Sequence, residues 1–255
     1  MPIFREKEKM KILLKAAYDG KNYCGWQVQK NGVSVQGEIS RAAKEAYGVD
    51  VKVTGCSRTD SGVHALAYCF TVETPDGAPC IPLLRLPTAL NVRLNEDITV
   101  FSAEEVESDF HARYFVKQKT YEYRIDNGPY RDPFKVGYAW YLKKPLDERV
   151  MDTAAKHFIG KKDFSAFMAS GSDVTDTVRE VKHAEVTREG DTVIFRVSAD
   201  GFLYNMVRIM VGTLTDVSYG KIAPSDLPDI ISSGERKKAG ITAPPDGLYL
   251  KNVEY

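Results

Sequence analysis

Apolar residues along this 255-residue chain recur with two periods, one near two residues and one near four, and the chain switches between them repeatedly. Lys9–Tyr18 reads as a first strand. Ser34 is placed to cap a helix in which Val35, Ile39, Ala42 and Ala46 fall at helical spacing. Val51–Ser57 and Tyr68–Glu73 are rich in β-branched and aromatic residues, with a polar loop between them; Ile81–Leu90 is expected to be helical after Pro82, and Ile98–Ala103 to be a strand. The second half repeats the theme. Thr120–Ile125 alternates, with Tyr121, Tyr123 and Ile125 on one face and Thr120, Glu122 and Arg124 on the other. Leu146–Phe158 is amphipathic, and Val178–Arg188 with Asp191–Ala199 predicts a hairpin turning near Glu189-Gly190. Leu203–Val217 carries Leu203, Val207, Met210, Leu214 and Val217 at helical spacing, and Pro224–Ser233 is a further helix. The pattern predicts an α+β fold of two α+β domains, residues 1–107 and 108–255, each a mainly antiparallel sheet with helices packed on one face.

Composition adds limits rather than a function. Hydrophobic content of 43% and charged content of 27% are ordinary for a globular protein. No stretch approaches the roughly 18 apolar residues of a membrane span. Met1–Lys15 mixes charges without the apolar centre of a signal peptide, so a cytoplasmic location is expected. Cys24, Cys56, Cys69 and Cys80 include no C-x-x-C pair. A metal set can be threaded through Cys56, His64, Cys69 and Cys80, but it lacks the close pairing of structural zinc sites, and reduced thiols are the simpler reading.

Net charge is zero, and the local distribution is uneven. Leu94 to Phe110 holds six acidic residues and no Lys or Arg. His111 to Arg149 holds nine Lys and Arg against five acids, interleaved with Tyr114, Tyr121, Tyr123, Tyr130, Tyr138 and Tyr141. Basic and aromatic residues together can hold phosphates and stack bases. On charge alone, solvated positions around core tyrosines explain the same pattern and come first.

The segment between the second and third strands, Gly55-Cys56-Ser57-Arg58-Thr59-Asp60-Ser61-Gly62-Val63-His64-Ala65, is a polar loop on a sheet, a common place for functional groups. An ordinary connection, with Asp and Thr satisfying turn amides, would have the same composition. The loop does, however, resemble the active-site motif of the tRNA pseudouridine synthase A family, and it does not stand alone. Tyr18-Asp19-Gly20, Gly25-Trp26-Gln27 and Val35-Gln36-Gly37-Glu38 are similar to the family's N-terminal signatures. Phe110-His111-Ala112-Arg113 with Lys119-Thr120-Tyr121-Glu122-Tyr123 resembles its second motif. Phe164-Ser165-Ala166-Phe167, Phe202-Leu203-Tyr204-Asn205-Met206-Val207-Arg208, Ala239-Gly240-Ile241-Thr242-Ala243-Pro244-Pro245 and Gly247-Leu248-Tyr249-Leu250 resemble later ones, in the same order. Ser57 and Ser61 stand where Gly and Ala are frequent in the family, and Asn205 and Asp246 where His is common; none removes a catalytic group.

The resemblance implies an enzyme that isomerises uridine to pseudouridine in tRNA, at positions 38, 39 and 40 of the anticodon stem-loop. It also implies a homodimer with an active-site cleft between the domains of each chain. The reaction breaks a C–N glycosidic bond, turns the base and joins C5 of uracil to C1′ of ribose. No atoms or electrons enter or leave, so no cofactor is expected. The resemblance makes Asp60 the catalytic carboxylate, acting at the sugar, at the base, or as an acceptor of a ribose proton. It pairs Arg208 with Asp60, which would keep the carboxylate ionised. It stacks Tyr121 on the target base with a part in moving the C5 proton, although a tyrosine on that strand face could equally be core. Arg58 would aid extrusion of the nucleotide from its stem. His64 is read as fixing the loop, with proton transfer the alternative.

Two other readings compete. Asp60-Ser61-Gly62 fits the short aspartic-protease signature, but such enzymes need two carboxylates sharing a proton and the chain has one copy. A non-catalytic RNA-binding module would use paired α+β domains as a stacking platform, and the joint presence of Asp60, Tyr121 and Arg208 argues against it.

Overall fold

A computed structural model describes residues 11–255 apart from 31, 76 and 173. The N-terminal charged run and the first two residues of the strand expected from Lys9 lie outside the described residues. The chain forms two compact units, one running to Val116 and including Tyr255, the other spanning Lys117–Glu254. Residues 108–116, expected past the domain boundary, pack with the first unit. There Lys11 Nζ donates to the carbonyls of Ser108 (2.6 Å) and Phe110 (2.9 Å), and Tyr255 donates its hydroxyl to Ala112 O at 2.9 Å.

The first unit contains β1 (Lys11–Tyr18), α1 (Val35–Tyr47), β2 (Lys52–Gly55), β3 (His64–Glu73), α2 (Leu86–Asn91) and β4 (Ile98–Val106). Its strands are antiparallel, with β1 between β4 and β3, and β2 paired to β3. Ile12, Leu14, Ala16 and Tyr18 alternate along β1 and are all buried. The Ser34 hydroxyl accepts from the Gly37 amide at 3.1 Å and starts α1 as expected. The buried stripe of α1 runs Val35, Ile39, Ala42, Ala43 and Tyr47. Ala46 is only half-buried, because the larger Tyr47 takes the inward position.

Two elements differ from the pattern reading. β3 begins at His64, four residues before the expected start, since the strand continues through Ala65, Leu66 and Ala67, whose composition carries little β signal. The helix expected over Ile81–Leu90 is split into a 3-10 turn at Leu83–Arg85 and the short α2. Pro87, which lacks a backbone N–H, fits only in the first turn of the second piece.

The second unit contains β5 (Gln118–Asp126), β6 (Trp140–Tyr141), α3 (Glu148–Ala155), β7 (Gly160–Asp163), β8 (Val178–Glu189), β9 (Thr192–Ala199), α4 (Met206–Ser218), α5 (Leu227–Ser233) and β10 (Leu248–Glu254). Strands run antiparallel in the order β10-β5-β9-β8-β7, and β6 adds a short parallel pair to β5. The β8–β9 hairpin turns over Gly190-Asp191, between the paired residues Glu189 and Thr192. In α3 the Asp147 carboxylate caps the amides of Arg149 and Val150 at 3.0 and 3.1 Å. The helix expected from Leu203 starts only at Met206, because Asn205 takes a left-handed conformation, φ 59°. Short polar Asn tolerates that region better than most residues. α4 is buried almost all round, which its mixture of Val, Ile, Met, Gly and Thr anticipates. No helix among the described residues is long and apolar enough to cross a membrane.

Candidate active site

In the first unit, Arg58, Asp60 and His64 sit on or beside the one loop joining β2 to β3. The ladder between these strands ends where the Cys56 amide donates to Cys69 O at 2.9 Å. Beyond that pair the loop is held by the segment from Tyr18 to Trp26. The Trp26 amide donates to Thr59 O at 3.1 Å, and the Tyr18 hydroxyl and Thr59 Oγ1 lie 2.9 Å apart in a buried hydrogen bond. Tyr23 O receives Ser61 Oγ at 3.1 Å and the Gly62 amide at 3.4 Å. The Val63 amide closes a tight turn by donating to Asp60 O at 3.2 Å. Gly25 packs against this turn so closely that a Cβ there would fall 2.4 Å from Thr59 O and 3.1 Å from the Asp60 carbonyl carbon. Asp60 itself is half-buried on this clamped backbone.

The N-terminal signatures thus have a mechanical meaning that their sequence does not disclose. Gln36 completes the clamp: its amide donates to Trp26 O at 2.9 Å, its side chain donates to Val53 O at 3.0 Å, and Oε1 accepts from the Val28 amide at 3.2 Å. One residue in the first turn of α1 therefore joins β2 to the segment that grips the loop.

His64 is 2% exposed. Its Nδ1 lies 3.1 Å from the Gly20 amide nitrogen and 3.0 Å from Asp19 Oδ1. The amide asks for a lone pair on Nδ1 and the carboxylate for a proton, so the two contacts compete for one atom. In either protonation state the ring is tied to the Asp19-Gly20 turn. Arg58 is exposed and donates through Nε to Gln27 Oε1.

In the second unit, Tyr121 and Tyr123 share one face of β5 as expected, and both are buried. Their surroundings differ. The Tyr123 hydroxyl donates to Pro244 O at 2.7 Å, and burial pushes this phenol well above its ordinary pKa, against the pull of the Arg208 charge. Tyr121 meets the Phe202 ring edge-on, with centroids 5.1 Å apart. Arg208, half-buried in the first turn of α4, donates through Nε to Ala243 O at 2.7 Å and through a terminal nitrogen to Asn205 Oδ1 at 2.8 Å. Its own carbonyl accepts the Ala243 amide at 3.1 Å. A Cβ on Gly212 would lie 1.9 Å from Ile241 O, so the 239–243 segment touches the bare backbone of α4. This close approach at Gly212 locks the late motif beside Arg208.

The alternation of β5 concealed one feature. Glu122, on the face opposite the tyrosines, is only 3% exposed. It receives Lys251 Nζ at 2.6 Å, Arg196 Nε at 2.8 Å and Arg124 Nε at 2.9 Å. Burial alone would raise its pKa; the three cationic donors outweigh that and hold it at about 2. Two basic residues of the 111–149 stretch are likewise structural, since Lys135 pairs with Asp126 at 3.1 Å and Arg124 with Glu122 at 2.9 Å.

The sequence model described as tRNA pseudouridine synthase matches residues 15–115 and 154–255. The chain is 46% identical over 244 residues to tRNA pseudouridine synthase A of Thermoanaerobacter sp. (strain X514), covering 96% of this chain and 99% of that protein. It is 45% identical over 248 residues to the protein of that name from Moorella thermoacetica, covering 96% and 99%. It is 44% identical over 244 residues to tRNA pseudouridine synthase A 2 of Clostridium perfringens, again covering 96% and 99%. A chain in the crystal structure of a Cbf5-Nop10-Gar1 complex gives a TM-score of 0.34 at 13% identity, covering 93% of this chain and 57% of that one.

Proposed function

The chain belongs to the tRNA pseudouridine synthase family, and from that premise we propose that it isomerises uridine to pseudouridine in tRNA with Asp60 as the acting carboxylate. The observation that carries this reading is the clamped turn at Asp60, held by main-chain bonds to Tyr23 and Trp26. A carboxylate that must meet one atom of an extruded nucleotide gains from a backbone that cannot drift. All three courses open to it, attack at C1′, addition to the base or removal of a ribose proton, need Asp60 ionised.

The remaining roles follow from the same resemblance. Tyr121 supplies an aromatic face to the detached base and a hydroxyl for the proton at C5. Arg208 supplies a guanidinium held in a fixed orientation by Ala243 O and Asn205. Arg58, exposed at the rim of the loop, assists extrusion of the nucleotide. His64 acts by holding Asp19-Gly20, a reading supported by its burial and by the two contacts at Nδ1. The substrates are uridines 38, 39 and 40 of the anticodon stem-loop, and the protein works as a cytoplasmic homodimer without a cofactor.

Asp60→Asn tests the central assignment, because it removes the charge and nearly keeps the shape. The variant should melt like the parent and bind tRNA, yet form no pseudouridine. Substantial product from it would overturn the assignment. Mapping pseudouridine in tRNA from cells lacking the protein tests the sites, and sedimentation of the purified chain tests the dimer.

A further inference from the structure

Where the β2–β3 ladder ends, a side chain takes over from the main chain. Cys56 still pairs with Cys69, but Ser57, next in register and opposite Tyr68, has already left the sheet. The Tyr68 hydroxyl reaches back to it, donating to Ser57 O and accepting from the Ser57 amide at 3.3 Å. One hydroxyl thus serves both backbone groups of Ser57, which its donor and acceptor capacity allows. The phenol is fixed in turn. Tyr68 is fully buried, and its ring stacks on Trp26 at 4.0 Å with planes 22° apart. Trp26 is the residue whose amide grips Thr59. Gly55 closes the third side, since a Cβ there would lie 2.2 Å from the Tyr68 hydroxyl and 2.5 Å from the indole.

We propose that Tyr68 is a positioning residue for the reaction: its hydroxyl pins the root of the loop at Ser57 and so aims Arg58 and Asp60, without touching the nucleotide. This rests on the reading of Asp60 as the acting carboxylate. The Tyr18 hydroxyl does the matching task at Thr59, so the two residues that flank Arg58 are each held by a buried phenol. Displacement of a reacting group by about 1 Å can cost on the order of a hundredfold in rate. Loss of one pin should thus act on the chemical step far more than on tRNA affinity, which depends on contacts spread over a large surface.

Tyr68→Phe removes only the oxygen and keeps the ring on Trp26. Single-turnover pseudouridine formation on unmodified tRNA should fall roughly 10- to 100-fold, while the tRNA Kd stays within about twofold. The pH dependence of the rate should be unchanged, because no titrating group has been removed from the chemistry. Amide hydrogen exchange at Ser57–Ser61 should quicken while that of β1 stays at the parental rate. Tyr47→Phe is the control, since the Tyr47 hydroxyl is buried in the same unit without a hydrogen-bond partner; it should keep the parental rate. Gly55→Ala presses on the same phenol from the other side and should lower the rate in the same way, which provides the test if Tyr68→Phe fails to fold. A folded Tyr68→Phe or Gly55→Ala with the parental single-turnover rate would overturn the proposal, as would a loss that resides wholly in Kd. Asp60→Asn assayed beside them separates the two readings. An inactive Asp60→Asn with a fully active Tyr68→Phe sinks the positioning role alone, whereas an active Asp60→Asn sinks the carboxylate role on which it rests.

Discussion

Tyr121 and Tyr123 show how little a residue's type settles about its work. They stand two apart on one face of β5, equally aromatic and both buried, yet only Tyr123 has its hydroxyl turned to the Pro244 carbonyl. Burial holds that phenol protonated far beyond neutral pH, so Tyr123 is suited to packing and not to proton transfer. Removing its hydroxyl leaves a part-buried carbonyl without this donor, at a cost of about 1 kcal/mol. Tyr123→Phe should therefore lower the denaturation midpoint and leave pseudouridine formation per folded molecule near the parental rate. Tyr121→Phe should instead keep tRNA binding while turnover per folded molecule falls. Denaturation and single-turnover assays on the two variants decide the matter, and the division of labour is wrong if both lose the same property.

Elements were legible where one local signal decided them and obscure where contacts distant in sequence did. The Ser34 cap and the Gly190 turn each act within a few residues, and each is where the sequence pointed. The early start of β3 runs through residues with little β signal, and the late start of α4 turns on the left-handed backbone of Asn205, which apolar spacing does not reveal. At the candidate site the loop itself was readable, but its clamp joins residues some 31 to 41 positions apart, as in Arg58 to Gln27 and Tyr18 to Thr59, and no spacing announces that. Gly212, a glycine inside a buried helix, is explained by the main chain that packs on it. Gly212→Ala would drive a methyl into Ile241 O, and overpacking of this kind typically costs about 1–3 kcal/mol and occasionally more. We expect a loss at or above the top of that range in chemical denaturation, because the obstacle is main chain and cannot rotate away; a loss under about 1 kcal/mol would mean that the 239–243 segment moves freely. Glu122 binds three strands at once, taking cations from β5, β9 and β10. Its pKa of about 2 lies below the 4.5 of an ordinary glutamate, so its stabilisation is complete above about pH 4.5 and is lost as pH falls through 2. The shift corresponds to roughly 3 kcal/mol at neutral pH. Glu122→Gln should accordingly destabilise the second unit at pH 7, and the gap between variant and parent should narrow as the pH is lowered from 4 toward 2. A gap that stays constant through that window would show that the carboxylate charge contributes nothing.

At the scale of the whole molecule, a protein with no net charge is expected to hold a polyanion, and the resolution lies in how its charges are spent. Of the nine basic residues between His111 and Arg149, Arg124 and Lys135 are committed to the buried carboxylates Glu122 and Asp126, and Lys119 is half-buried. Arg113, Lys117, Arg131, Lys143, Lys144 and Arg149 are exposed. The acids committed to internal pairs are neutralised within the fold, so exposed stretches of the chain can be locally positive while the sum is zero. Each phosphate neutralised releases counterions and adds about −0.7 to −0.9 to the slope of log affinity against log salt. If all six exposed cations met phosphates, the contribution from this stretch would be no steeper than about −5. Arg113 is the member best placed for a specific test, because its guanidinium lies 5.8 Å from the centre of the Tyr114 ring, that ring is 74% exposed, and His111 packs on it at 4.3 Å. Arg113→Gln should weaken tRNA binding similarly for different tRNAs and make the salt slope shallower by about 1, with single-turnover chemistry at saturating enzyme unchanged. Affinities measured by filter binding from low to physiological ionic strength supply both numbers. A parent protein whose affinity is flat across that range would mean that shape and stacking, rather than phosphate contacts, hold the RNA.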